Sequence, residues 1–95
     1  DAFPEIPTEF ILGQNYPNPF NDGTVIPFAL PIEAKVSVTI YDVRGRVVDE
    51  LVNGKTYFAG QHKLNWLARG RSSGIYFCHM QFGDMYLTKK MILLR

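Results

Sequence analysis

The chain contains the stretch Asn15-Tyr16-Pro17-Asn18-Pro19-Phe20-Asn21, in which prolines and asparagines alternate with aromatic residues. Each proline fixes its own φ and pushes the preceding residue towards extended backbone. Asparagine side chains can bond nearby backbone groups, while Tyr16 and Phe20 offer apolar surface that can pack on a core. The stretch therefore predicts a structural corner made of Tyr16, Pro17, Asn18, Pro19 and Phe20. We expect its two prolines to act on stability and not on binding chemistry.

Polar and apolar residues alternate along much of the chain after this corner. The clearest case is residues 35–41, where Val36, Val38 and Ile40 share one face of a strand. Similar runs bounded by turn residues predict six further strands, at residues 10–14, 24–30, 46–52, 61–66, 75–82 and 85–94. Residues 42–45 suit a tight hairpin, and Gly83-Asp84 suits a two-residue hairpin turn. These signals predict an all-β, Ig-like Greek-key β-sandwich of about seven antiparallel strands.

Length and composition indicate one small domain. The 95 residues are 46% hydrophobic and 14% aromatic, which is enough apolar material for a single core. Residues 1–9 carry two prolines between acidic and isolated apolar residues, so we interpret them as a linker remnant and residues 10–95 as the domain. Because the sequence starts at Asp1 without a methionine, we expect it to be a fragment from the end of a longer protein.

The alternation also predicts which side chains fill the core. We expect Val36, Val38, Ile40, Leu64 and Trp66 to face inward, because each lies in phase with apolar neighbours. Cys78 is the single cysteine and cannot form an internal disulfide, so we expect it to be buried as a small apolar residue. The fold must then rest on its apolar core.

Several function classes find no support in the sequence. The formal net charge of +1 provides no field for nucleic acid, and no apolar run is long enough to insert into a membrane. Two histidines and one cysteine show no metal-ligand spacing, and the carboxylates are scattered. Ser72-Ser73 lacks the pattern of a nucleophile, and the glycines form no phosphate-binding loop. The sequence thus predicts no catalytic residue, no metal and no cofactor, and a protein that is not an enzyme.

Aromatic residues leave a carbohydrate-binding role open. A sugar-stacking platform could be built from Trp66, Tyr57, Phe58, Tyr76, Phe77 and Tyr86. Trp66 and Tyr76 are in phase with apolar neighbours, which favours core packing for both. Tyr57, Phe58 and Phe77 are not decided by the pattern. An exposed, coplanar aromatic pair would favour the carbohydrate role.

The last predicted strand is apolar on both faces. Residues 91–94 are Met-Ile-Leu-Leu, bracketed by Lys89, Lys90 and Arg95. One interpretation is an interior strand whose flanking basic residues oppose aggregation. The other is a tail with one apolar stripe left available to a receptor, which could recognise it by strand pairing.

Ordered landmarks along the chain give it a family resemblance. After the corner come Thr39-Ile40-Tyr41-Asp42 with Gly45-Arg46, then Gly60-Gln61-His62, Trp66, Gly74-Ile75-Tyr76 and the terminal Lys90-Met91-Ile92-Leu93-Leu94-Arg95. Over residues 10–95 this order resembles the type A C-terminal sorting domain of the type IX (Por) secretion system. The fold of that family is similar to the Ig-like module of flagellar hook-capping proteins.

The resemblance implies a non-enzymatic signal that directs a covalently attached N-terminal cargo protein through the periplasm and across the outer membrane. It implies a translocon and a surface sortase as partners, with the cargo ending on the cell surface or in the medium. The sorting signal would be carried by Gly74, Ile75, Tyr76, Lys90, Met91, Ile92, Leu93, Leu94 and Arg95. Two alternatives are an Ig-like accessory or carbohydrate-binding module of an extracellular glycoside hydrolase and a structural module of a flagellar cap-like assembly.

Overall fold

The structure, a computed structural model, describes residues 7–95. Six of the nine residues expected to form a linker therefore lie outside the described residues. The described chain forms seven strands: β1 (Ile11–Leu12), β2 (Gly23–Leu30), β3 (Ala34–Asp42), β4 (Val47–Tyr57), β5 (Gly60–Leu67), β6 (Gly74–Phe82) and β7 (Met85–Leu93).

The strands form two sheets that pack as a sandwich. One sheet has the order β1-β2-β5 and the other β4-β3-β6-β7, and every strand pair is antiparallel. The chain changes sheet between β2 and β3, between β4 and β5, and between β5 and β6. These crossovers confirm the predicted Ig-like Greek-key sandwich.

Both predicted hairpins are present. At the β6–β7 turn, Phe82 pairs with Met85, and Gly83 has a φ of 59°. A positive φ at the first of two loop residues matches the strand twist, so this turn fixes the register of the whole β6–β7 pair. At the β3–β4 turn, the Gly45 N–H donates to the Asp42 carbonyl at 3.0 Å, and Gly45 has a φ of 81°.

The core lies between the sheets and confirms most of the predicted inward residues. Val36, Val38, Ile40 and Trp66 are at most 2% exposed, and Cys78 is 1% exposed. Leu64, on the edge strand β5, packs against the core but is only half-buried. Phe20 enters the same core from the corner, where its ring lies 5.7 Å from that of Trp66.

Two strands differ in length from the sequence-based expectation. β1 pairs over two residues only, because the next residue lies opposite a proline: the Gly13 N–H donates to the Pro27 carbonyl at 2.8 Å, but Pro27 has no N–H to return the bond. β4 continues to Tyr57 instead of ending near residue 52. Gly54, which looks like a turn residue, has a φ of 69° and lies beside register shifts in the β3–β4 ladder. Such bulges let a strand continue past a glycine.

Trp66 is the largest fully buried side chain, and its indole N–H donates to the Asp49 carboxylate at 2.9 Å. We expect Trp66→Ala to lower the free energy of unfolding by about 3–5 kcal/mol, because it empties a core site. Leu67→Ala is the matched control, since Leu67 is next in the strand and 54% exposed, and should change stability by at most about 0.5 kcal/mol. Chemical unfolding measures both, and equal small losses would place Trp66 at the surface.

Cys78 should be chemically inert in the folded protein. Burial raises the pKa of the Cys78 thiol to about 12, so almost no reactive thiolate forms at mildly alkaline pH. We expect iodoacetamide to label Cys78 quickly in concentrated guanidinium and very slowly in the native protein, as mass spectrometry can follow. Equal labelling rates in the two states would contradict the burial of Cys78.

Candidate functional site

Two segments expected to carry the sorting signal lie side by side. Residues 74–76 open β6 and residues 90–95 close β7, and the register pairs Gly74 with Leu93, Ile75 with Ile92 and Tyr76 with Met91. We call residues 74–76 together with 90–95 the terminal patch. The patch is formed by the β6–β7 hairpin, whose turn lies at the other end of the strands.

Part of the terminal patch faces the core. Met91 and Leu93 are fully buried and Tyr76 is 7% exposed. The Tyr76 hydroxyl donates to the Ser72 carbonyl at 2.7 Å, and its ring packs edge-on against Trp66 with centroids 5.6 Å apart. These three side chains are therefore occupied by the fold.

The other part of the patch faces outward. Ile75 is 38% exposed and Leu94 56% exposed, while Lys90 is exposed and Ile92 half-buried. Ile75 and Ile92 are cross-strand partners, so their side chains lie next to each other on the outer face of the four-stranded sheet. Lys90 lies one position further along that face, opposite Phe77. The accessible patch is thus one cation beside three aliphatic side chains.

The corner covers the free edge of β7 along this patch. The Phe20 N–H donates to the Ile92 carbonyl at 2.9 Å, and the Leu94 N–H donates to the Phe20 carbonyl at 2.8 Å. The Ile92 N–H donates to the Asn18 side-chain oxygen at 3.0 Å, and the Gln14 side chain donates to the Lys90 carbonyl at 2.9 Å. From Lys90 to Leu94, the backbone groups of β7 that face outward along the edge are therefore largely engaged by the chain itself.

The same corner is tied to the other sheet. Tyr16 exchanges two backbone hydrogen bonds of 2.9 Å with Val25 of β2. The Tyr16 ring is 45% exposed, so the expectation that this ring packs on the core is wrong: its backbone fixes the corner, and Phe20, 2% exposed, is the apolar anchor. The exposed Pro17, Asn18 and Pro19 form the tip, and the peptide bonds preceding both prolines are cis.

A buried asparagine organises the inside of the corner. Asn15 is 3% exposed, and its side-chain amide donates to the Thr24 hydroxyl at 3.0 Å and to the Pro17 carbonyl at 3.2 Å. The Thr24 hydroxyl donates to the same carbonyl at 3.0 Å. Buried polar groups are tolerated only when they are hydrogen-bonded, so this network fixes one geometry for the corner.

Arg95 fastens the end of β7 to the β5–β6 loop. Its guanidinium donates to the carbonyls of Arg71 and Ala68 and contacts the Asp22 carboxylate at 3.1 Å, and its backbone N–H donates to the Ser73 hydroxyl at 2.8 Å. Arg95, which we expect to belong to the sorting signal, thus also holds the end of β7 against the β5–β6 loop. Sequence reasoning missed these partners, because they come from distant loops and no local spacing marks them.

In the part of the chain that the structure describes, no two Phe, Tyr or Trp rings form a coplanar pair in which both are exposed. Tyr86 is 59% exposed, and its ring is tilted by 31° against that of His79. Trp66 and Tyr76 are buried, and Phe58, 76% exposed, lies in the β4–β5 turn. Phe77 is half-buried on the outer sheet face. The most nearly parallel pair of phenyl rings, Phe10 and Phe82 at an interplanar angle of 14°, includes a buried partner.

Among residues 7–95, histidine, cysteine and acidic side chains form no cluster of three that could hold a metal ion. No helix in this part of the chain has the length and apolar character needed to span a membrane.

Comparison with known proteins gives one match. A family model described as the secretion system C-terminal sorting domain matches residues 14–94. The match begins at the corner and ends within the terminal patch, so it includes both structural features described above. No curated protein and no solved structure matches the chain.

The buried network predicts that the corner depends on Asn15. Asn15→Ala should lower the free energy of unfolding by about 1–3 kcal/mol, because it leaves buried polar partners unpaired. Hydrogen exchange at the Phe20 and Leu94 amides should accelerate with it, since both bonds join the corner to β7. The control is Asn21→Ala, because Asn21 is exposed. Unchanged exchange at Leu94 in a destabilised Asn15 variant would contradict the link between the network and the β7 edge.

Proposed function

Because the chain belongs to the family of secretion system C-terminal sorting domains, which are non-catalytic and direct the export of attached cargo by type IX secretion, we propose that the outward side of the terminal patch is the surface the translocon contacts. The observation that supports this proposal is the convergence of three distant segments. Residues 14–20, 74–76 and 90–95 form one continuous surface.

The residues expected to carry the signal differ in what their side chains can contact. Ile75, Lys90, Ile92 and Leu94 are at least partly accessible and can contact a receptor. Gly74 has a φ of 153°, a backbone conformation that favours glycine, and it is the patch residue at which β6 begins. The remaining members, Tyr76, Met91, Leu93 and Arg95, hold the patch in place.

The contact we propose uses the face of the strand pair, not its edge. Strand addition requires free backbone N–H and C=O groups along an exposed edge. From Lys90 to Leu94 the corner already bonds to that edge. A receptor that binds the folded domain therefore finds side chains of Ile75, Lys90 and Ile92 on the sheet face.

Family membership implies an attached cargo and delivery to the cell surface or beyond it. We propose the following steps of export for the attached cargo. A translocon moves the cargo from the periplasm across the outer membrane, and a surface sortase then removes the domain, so that cargo is either attached to the surface or released.

We expect Lys90→Ala to reduce export of a reporter that carries a signal peptide and this domain, in a bacterium with a type IX system. Lys90 is the one cation on the outward side of the patch. Lys89→Ala is the matched control, because Lys89 is also exposed and adjacent but points to the opposite side of β7. The measurement is the ratio of surface or medium reporter to periplasmic reporter.

Folding must be checked before export is scored, since an unfolded domain would also fail. Both variants should keep the unfolding midpoint of the parent, because each removes an exposed side chain. Equal export of the two lysine variants would contradict the proposed contact. Normal export of a reporter that lacks the entire domain would contradict the sorting function itself.

A further inference from the structure

All five arginines of the sequence lie at one end of the sandwich. Arg44 and Arg46 lie in and next to the β3–β4 turn, Arg69 and Arg71 in the β5–β6 loop, and Arg95 directly after β7. The register of β3, β6 and β7 brings these three sites to the same end of the sheets. We call this end the arginine pole.

An open pocket of about 310 Å³ lies at the arginine pole between the β3–β4 turn and the β5–β6 loop. Three arginines line it, Arg44, Arg46 and Arg71, together with Gly70 and the two serines of the loop. Val43, Val48 and Ile75 supply apolar wall, and Val43 is 66% exposed. Residues 74–76 of the terminal patch also line the pocket, so it adjoins the surface proposed to contact the translocon.

The acidic groups near this pocket are already engaged. Asp42 is the carboxylate in its lining, and it accepts the backbone N–H groups of Arg44 and Arg46 and the Arg46 side chain. The Arg46 backbone hydrogen bond, first among several, lowers the pKa of Asp42, so the group remains ionised and bound to its own turn. Asp22 pairs with Arg95. Arg44 and Arg71 form no ion pair with an acidic side chain among residues 7–95.

Positive charge therefore exceeds negative charge in the pocket. The lining holds three guanidinium groups and one carboxylate, a formal net charge of +2. Arginine presents a planar fork of donors that fits a carboxylate with two parallel hydrogen bonds. The accessible valine and isoleucine favour a ligand that brings apolar side chains with its charge. A flat anionic membrane surface does not match a concave site of this kind.

The arginine pole and Phe10 lie at opposite ends of the sandwich. Phe10 stacks on Phe82 at 4.1 Å between centroids, so the chain enters at the β6–β7 turn. β6 runs for nine residues from the pole to that turn, a separation of roughly 25–30 Å. Phe10 therefore lies at the end of the sandwich opposite to the arginine pole.

We infer that the pocket binds an acidic peptide segment of a protein partner, with an Asp or Glu carboxylate on Arg44 and Arg71 and a neighbouring apolar side chain against Val43 and Ile75. That this partner belongs to the export machinery rests on the function proposed above. The peptide binding itself does not.

The first test measures binding by amide NMR shifts of the purified chain. The probe is acetyl-Leu-Asp-Leu-Asp-Leu-amide, and its neutral control replaces both Asp with Asn. We expect saturable shifts at residues 42–48 and 70–75 with the acidic peptide only. Arg44→Gln should weaken this binding about tenfold, because it removes a charge-assisted hydrogen bond, whereas Lys35→Gln at the opposite end should leave it unchanged. Equal binding of both peptides, or none, would overturn the inference.

Inorganic phosphate and anionic phosphatidylglycerol vesicles are the competing probes in the same titration. Stronger shifts at these residues with phosphate would make this a general oxyanion site, and stronger vesicle binding would make it a membrane contact. Either result overturns the assignment to an acidic peptide.

The second test uses the reporter export assay. Arg44→Glu should reduce export several-fold relative to Lys35→Glu, a charge reversal at an exposed lysine at the other end of β3. Normal export of Arg44→Glu, while removal of the whole domain abolishes export, would overturn a role for the pocket in export but keep the sorting function. Export without the domain would instead overturn the sorting function and leave the NMR result to decide the peptide site.

Discussion

The structure depends on the corner as the connection between its two sheets. Residues 14–20 bond to β2 through Tyr16 and to β7 through Asn18 and Phe20, while the Phe20 ring enters the shared core. A three-stranded sheet over a four-stranded sheet leaves edges whose backbone groups would otherwise face solvent. The corner closes part of one edge and joins the layers at the same time. It can do so because buried Asn15 holds its geometry from within.

This arrangement couples stability to the proposed signal. The β7 residues with buried side chains, Met91 and Leu93, alternate with Lys90, Ile92 and Leu94, whose backbone groups meet the corner. A substitution at Met91 or Leu93 alters the core packing of β7, and one at Lys90, Ile92 or Leu94 alters the strand where it meets the corner. A receptor that contacts the sheet face can bind without displacing the corner from β7. The side chains of Ile75, Lys90 and Ile92 are accessible there while the corner still joins the two sheets.

How much the sequence predicts depends on the range of the interaction. Period-2 alternation and the Gly83-Asp84 turn are local, and together they fix the β6–β7 register that brings residues 74–76 beside residues 91–93. Bulges in β4 and the partners of Arg95 depend on tertiary contacts between distant segments. The exposed Tyr16 ring illustrates the same limit, since a motif shows that an aromatic residue is available but not which face of the corner it takes. The role of each signal residue in export stays a prediction.

The charged residues are distributed unevenly over the fold, so the net charge of the sequence does not describe the charge of each surface. Ten basic and nine acidic residues nearly cancel, which in the sequence predicts no preference for charged partners. In the fold the arginines lie at one end of the sandwich. Lys35 and Lys55 lie on the paired strands β3 and β4, near the other end. Interactions between exposed charges are screened over roughly 10 Å at 0.1 M salt, so a partner at the arginine pole responds to the nearby arginines and not to the sum. A near-neutral domain can therefore present a cationic surface where basic residues outnumber acidic ones: Asp42 and Asp22 pair with Arg46 and Arg95, and the other three arginines of the pole form no ion pair among residues 7–95.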